Sequence, residues 1–313
     1  MPSTEIRPHA GNNETPRKPS VALALGAGGA KGLAHIGAIE ELEAQGFSIV
    51  AIAGCSMGAL IGGIHAAGKL DVYRDWVCTL DKFDVLKLVD WSFSFAGGGL
   101  IKGEKIIGTM LELIGDTRIE DLPIAFTAVA TDLEREREVW LTRGSLFDAV
   151  RASIAIPTLF RPHILEGRVL VDGALLNPVP VTPLIGKPAD YMIAVSIDGP
   201  AETTTPVEMS TGDAKPRGGI GRLLNRLLPG SELKATESIK PREPSALELL
   251  GQSMDLMQAN LSRLRLAAYQ PDLLVQLARN VSSAYEFYRA RELIELGRDK
   301  MRMALEAWRQ SPR

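Results

Sequence analysis

Apolar positions along this chain recur with two periods. Short, largely apolar runs at 21–25, 49–53, 124–131, 168–171, 190–197 and 272–277 predict strands, and runs this uniformly apolar suit strands buried on both faces of a parallel sheet. Between them the spacing lengthens to that of a helix. Leu33, Ile36, Ile39 and Leu42 recur with Glu40, Glu41 and Glu43 set against them, and comparable segments predict helices over 59–67, 71–79, 101–113, from Ser145, over 246–268 and over 285–308. The opening strand–helix–strand order is a βαβ unit, which crosses over right-handed in a parallel sheet. A further strand candidate, 138–141, is separated from 124–131 by a charged turn at 132–137, read as a solvated, hairpin-like element.

The pattern lapses in three places. Residues 1–19 are rich in Pro, Asn, Arg and Thr and read as a disordered tail without a secretory signal; 91–99 reads as a flexible loop. Residues 199–245 turn to Pro, Thr, Ser, Gly and Lys and read as a flexible insertion in a domain that spans 20–313, with its core motifs at 21–181. Inside the insertion, Ile220, Leu223, Leu224, Leu227 and Leu228 keep helical spacing opposite Arg222 and Arg226. The simpler reading is a helix packed on the domain or a disordered stretch. The sharper one is a short basic amphipathic helix over 219–229 that touches a membrane peripherally or covers the active site.

Composition narrows the class. The 313 residues are 45% hydrophobic, and 35 Lys and Arg against 38 Asp and Glu leave a net charge of −3, so nucleic acid is not an expected partner. No stretch of about 18 uncharged apolar residues predicts a membrane span. Two cysteines, Cys55 and Cys78, are too few for a disulfide framework and suit a reducing compartment, so a cytoplasmic location is the expectation.

Candidate chemistry gathers at strand ends. After the 49–53 strand comes Gly54-Cys55-Ser56-Met57-Gly58 and then a small-residue helix: the strand–turn–helix setting that lifts a nucleophilic serine clear of a sheet. After the 21–25 strand comes the loop from Gly26 to Gly32, and after 168–171 comes Asp172-Gly173-Ala174. A dinucleotide-binding reading of the first loop fails, because the second strand lacks its terminal carboxylate. Cys55 reads as a small apolar filler. A hydrolase triad in the order Ser, Asp, His cannot be completed with Asp172, since His9, His35, His65 and His163 all precede it. His163 is the one histidine expected near the site. What remains is a Ser56–Asp172 dyad, with Asp172 as direct general base. A weak base needs a strong oxyanion hole; the amides of Gly28, Gly29 and Met57 are the candidate donors, with Lys31 as a nearby cation. No residues have metal-ligand spacing near these blocks, and neither metal nor other cofactor is expected.

These three blocks resemble the patatin-like phospholipase family, over about 21–181, and the segments 145–160 and 287–297 look like its bacterial members. The resemblance implies a three-layer α/β/α sandwich with a mostly parallel central sheet. It puts the family's dyad on Ser56 and Asp172 and its oxyanion loop on Gly28, Gly29 and Lys31, with Gly26, Gly32, Gly54, Gly58 and Gly173 as motif glycines. Two positions depart from the family pattern: Lys31 stands where arginine is usual, and lysine lacks the guanidinium fork, while Ala27 replaces a loop glycine. The implied activity is serine acyl hydrolysis of phospholipid or lysophospholipid esters; acyl transfer and a regulatory protein retaining the fold are the alternatives.

Overall fold

The computed structural model describes residues 17–88, 99–101, 108, 112, 115, 117–201, 246–283 and 285–311. The chain divides into two compact units, residues 1–201 with 256–313, and residues 202–255. The first is built on an eight-stranded sheet. Its parallel part joins β1 (Ser20–Leu25), β2 (Ser48–Cys55), β4 (Ala125–Asp132), β9 (Tyr191–Gly199) and β10 (Leu273–Ala278) in the order β10-β9-β1-β2-β4. Beyond β4 the direction changes: β5 (Arg137–Leu141) and β8 (Arg168–Asp172) both pair antiparallel to β4, and β7 (His163–Leu165) pairs antiparallel to β8. A separate two-stranded sheet joins β3 (Gly99–Ile101) to β6 (Thr158–Phe160).

Central β1 is buried along its whole length, as its unbroken apolar run requires. Side-chain size then sorts the two faces of the sheet. Val21, Leu23 and Leu25 enter a large core shared with α1 (Ala34–Ala44), α2 (Met57–Ala66), α3 (Leu70–Val77), α5 (Leu146–Ser153) and α7 (Ala290–Gln310). Ala22 and Ala24 join Ala51, Ala53 and Ala194 on the other face, where Val179, Val181, Leu184 and Leu266 pack against small side chains. Leu266 comes from α6 (Ala246–Ala268), of which residues 256–268 belong to this unit and turn Ala259, Ser262 and Leu266 inward. Helices on both faces of a mostly parallel sheet make the expected α/β sandwich.

Four features refine or correct the sequence reading. Two of the three α1 glutamates do not face water, because α7 lies over them: Arg298 reaches Glu40 at 2.6 Å and Arg302 reaches Glu41 at 3.2 Å, leaving Glu41 5% exposed, while Glu43 stays exposed. The 132–137 turn is not wholly solvated either. Asp132 is fully buried and accepts from the Arg135 amide and guanidinium at 3.1 and 3.0 Å. The expected tail is ordered at its end, where Arg17 grips Asp190 at 2.7 and 3.0 Å. Ile101 closes a strand rather than opening a helix. A further helix, α4 (Lys82–Leu88), falls in a stretch whose pattern was mixed. Residues 1–16, most of 91–99 and of 101–113, and the 202–245 part of the insertion with its 219–229 segment, lie outside the described residues.

Candidate active site

Strand β4 organises the site. Residues 128–132 pair with β5 on one edge. Residues 128 and 129 also pair with β2, and 130–132 also pair with β8. A strand has only two edges, so β2 and β8 share the one opposite β5. They run toward each other along it, β2 ending at Cys55 opposite Val129 and β8 ending at Asp172 opposite Ala130. Two strand ends remote in sequence thus meet head to head. Asp172 reaches this edge on an antiparallel strand that enters from outside, and not on a parallel strand as its position after an apolar run suggests.

At that junction Ser56 caps α2 with φ 54° and ψ −123°, a conformation that side chains other than glycine rarely adopt. Its carbonyl accepts from the amides of Ala59 and Leu60 at 2.9 and 3.1 Å, which starts the helix immediately. Space forces the flanking glycines. A β-carbon on Gly58 would strike the Leu25 carbonyl, and one on Gly54 would strike the Gly58 carbonyl. The sequence reading missed Ser153, at the end of α5. Its hydroxyl donates to the Val129 carbonyl at 2.6 Å and accepts from the Ser56 amide at 3.0 Å, tying the elbow to β4. The only signal in the sequence is a serine among alanines in an otherwise apolar turn of helix.

Asp172 is 3% exposed and Ser56 4%. Burial pushes the Asp172 carboxyl up from its ordinary value to about 6; the Ser56 hydroxyl, the Ala174 amide and the Cys55 thiol draw it partly back. Oδ1 accepts from the Ala174 amide at 2.8 Å and faces Cys55 Sγ at 3.8 Å, so this thiol is more than filler. Oδ2 is buried with no hydrogen-bond partner among the described residues, and the Ser56 hydroxyl lies close enough to the carboxyl to influence its titration. A β-carbon on Gly173 would strike the Val129 carbonyl, which explains why the residue after the aspartate has no side chain.

The glycine loop is clamped from three sides. The Gly26 amide donates to Val195 O at 3.0 Å, and the Ala27 amide to Pro178 O at 2.8 Å. His35 Nε2 lies 2.8 Å from Gly26 O, so that nitrogen carries the proton. Full burial lowers the His35 pKa to about 4 and keeps the ring neutral. The next two amides, of Gly28 and Gly29, have no carbonyl partner among the described residues, and neither has that of Met57. Gly32 sits against the Met57 side chain, which brings the loop beside the start of α2. Lys31 Nζ donates to the Arg279 carbonyl at 3.3 Å, on the chain after β10. His163 shares a 3.1 Å hydrogen bond with Asp148, and no histidine among the described residues bonds to Ser56 or Asp172.

A nucleophile elbow on a mostly parallel sheet, beside a loop of free amides, defines a carboxylic ester hydrolase. The chain belongs to the patatin-like phospholipase family, whose model matches residues 23–185. An uncharacterized NTE family protein of Mycobacterium bovis is 39% identical, over 93% of this chain and 92% of its own length. Lysophospholipase NTE1 of Mycosarcoma maydis is 30% identical over 70% of this chain, which spans 12% of that larger protein. Lysophospholipase nte1 of Emericella nidulans is 29% identical over 68% of this chain and 14% of its own length. At the level of the family, the chain is a lipid ester hydrolase. No helix among the described residues is long and apolar enough to cross a membrane.

Proposed function

We propose that the chain hydrolyses fatty-acyl esters of phospholipids or lysophospholipids by a Ser56–Asp172 dyad. The observation that carries this reading is the meeting of β2 and β8, which leaves a strained serine and a buried carboxylate side by side. In the first step Ser56 Oγ attacks the acyl carbonyl carbon while its proton passes to Asp172 Oδ2. The carbonyl oxygen becomes an oxyanion, held by the free amides of Gly28, Gly29 and Met57. Collapse expels the lysolipid or glycerophosphate alcohol, which takes the proton from Asp172. Water then attacks the acyl-serine, giving a proton to Asp172, which returns it to Ser56 as the fatty acid leaves. The relatives that bear the name lysophospholipase favour a lysophospholipid as the first substrate to try. The amphipathic 219–229 segment is the proposed contact with the lipid surface.

Labelling with a fluorophosphonate followed by peptide mapping tests the nucleophile. The adduct is expected on Ser56, and Ser56→Ala should remove both the adduct and turnover. Asp172→Asn should slow acylation by several orders of magnitude, while His163→Ala retains most of the activity. An adduct on Cys55, or a His163→Ala variant as inactive as Ser56→Ala, refutes the dyad.

A further inference from the structure

The reaction steps above leave Cys55 without a role, although its side chain is where the three motif blocks touch. It is fully buried, and with Ala27 of the glycine loop and Ala174 of the turn after Asp172 it makes a small apolar cluster. Its Sγ lies 3.8 Å from Asp172 Oδ1, and a β-carbon on Gly173 would stand 3.1 Å from that sulfur. The missing side chain at 173 therefore leaves the sulfur its seat against the carboxyl. Three segments remote in sequence meet on one thiol.

Chemistry fixes the direction of this contact. An ionised carboxylate can only accept, so a hydrogen bond between the two groups needs the proton on sulfur. The surroundings keep it there. Burial pushes the thiol well above its usual range, and the charges of Asp172, of Asp198 on β9 and of Glu138 on β5 push the same way. Glu138 is itself paired with Arg265 at 3.5 Å. Oδ1 then has two donors, the Ala174 amide at 2.8 Å and the thiol, whereas Oδ2 has no partner among the described residues. The carboxyl cannot exchange its two oxygens without breaking both bonds.

We infer that Cys55 is a positioning residue for the base: its thiol, with the Ala174 amide, occupies Oδ1 and so reserves Oδ2 for the proton of Ser56. The inference rests on the dyad reading above and deepens it, by giving the two oxygens separate tasks. It also gives the thiol a part in the working pH. A donor on Oδ1 favours the ionised carboxyl and so opposes burial, which raises Asp172 to about 6; the Ser56 hydroxyl and the Ala174 amide oppose it too, and no cation is among the groups that shift this carboxyl. Removing the thiol should move the base upward in pH, whereas loss of mere packing would leave the pH dependence where it is.

The test has a spectroscopic arm and a kinetic arm, both on the full chain. The chain has two cysteines, so with Cys78→Ser in place the infrared S–H stretching band belongs to Cys55 alone. Followed from pH 4 to pH 8, that band should lie below the frequency of a free thiol. It should fall further with a midpoint near 6 as Asp172 ionises, because a carboxylate is the stronger acceptor. With Asp172→Asn added, the pH-dependent step should vanish. A band at the free-thiol frequency, or one that ignores pH while Asp172 is intact, overturns the proposal. The kinetic arm measures log kcat/KM against pH on a soluble ester for wild type and Cys55→Ala, with folding checked by thermal melting. Cys55→Ala should raise the midpoint of the acid limb by about half a unit to one unit, a loss of about 3- to 10-fold in kcat/KM on the acid side, as fits a weak donor to a charged acceptor. A loss equal at every pH would make Cys55 plain packing and overturn the proposal. Where Cys55→Ala does not fold, the infrared arm decides, since it leaves Cys55 in place. If wild type cleaves no ester while the band follows Asp172, the dyad reading fails and the thiol's hold on the carboxyl stands.

Discussion

At the scale of single residues, burial governs the chemistry of Asp172. Its carboxyl is raised from 3.8 to about 6 chiefly by desolvation, so the proposed base is mostly unprotonated only above that pH. Turnover should climb with pH along an acid limb with a midpoint near 6, measured as log kcat/KM between pH 4 and 8. Stability moves the opposite way. A raised carboxyl favours the folded state fully below its unfolded pKa and loses that contribution as pH rises through about 6. A shift of roughly two units amounts to about 3 kcal/mol at pH 8. Asp172→Asn should therefore stabilise the protein by up to about 3 kcal/mol at pH 8 and by little at pH 4, read from denaturant midpoints. An offset independent of pH would contradict the assigned burial. Ser153 makes a second residue-scale prediction. Ser153→Ala strands the Ser56 amide and the Val129 carbonyl, so stability should fall by about 1–3 kcal/mol. The loosened elbow should cost kcat roughly 10- to 100-fold with KM little changed. An unaltered kcat would mean that the tie does not position the nucleophile.

At the scale of elements, α1 and α7 are locked by two glycines. A β-carbon on Gly297 would strike the Ala34 carbonyl, and one on Gly37 would strike the Ile294 carbonyl. This close crossing also brings Arg298 and Arg302 onto Glu40 and Glu41. Gly297→Ala should cost about 1–3 kcal/mol through overpacking, although alanine is the better helix former. Thermal melting checks it, and an unchanged or raised Tm would show that the helices can part without loss. The crossing gives two of the α1 glutamates, Glu40 and Glu41, a partner that the local pattern does not show. Helical period was legible in the sequence, but the partner helix lies some 250 residues downstream, and nothing local announces it.

At the scale of the whole molecule, the sheet brings the Gly26–Gly32 loop, the elbow and Asp172 to one end, while no group of three or more His, Cys, Asp or Glu among the described residues could hold a metal ion. The proposed Ser56–Asp172 mechanism calls for none. EDTA should leave hydrolysis of a soluble ester unchanged, and loss of activity restored by Ca²⁺ or Zn²⁺ would refute a metal-free mechanism. The same global arrangement makes the glycine loop rigid. Val195, Pro178 and His35 hold it from β9, from the segment after Asp172 and from α1. An oxyanion hole works only if its donors are oriented before the charge develops.

The amino-acid sequence by itself determined the α/β class, most of the strands of the main sheet, the elbow at Ser56 and the glycines around it. Each follows from local periodicity or from backbone sterics, which neighbouring residues control. It also singled out Asp172, through the small residues that follow it. Only the tertiary structure decided how Asp172 arrives, because its pairing depends on how much of the β2 edge of β4 is left free where β2 ends at Cys55. The same holds for side chains with long reach. Lys31 finds the Arg279 carbonyl and His163 finds Asp148, partners that chain position does not announce. Ser153 takes on meaning only through hydrogen bonds made to Val129 and Ser56, on segments that fold together from distant parts of the chain.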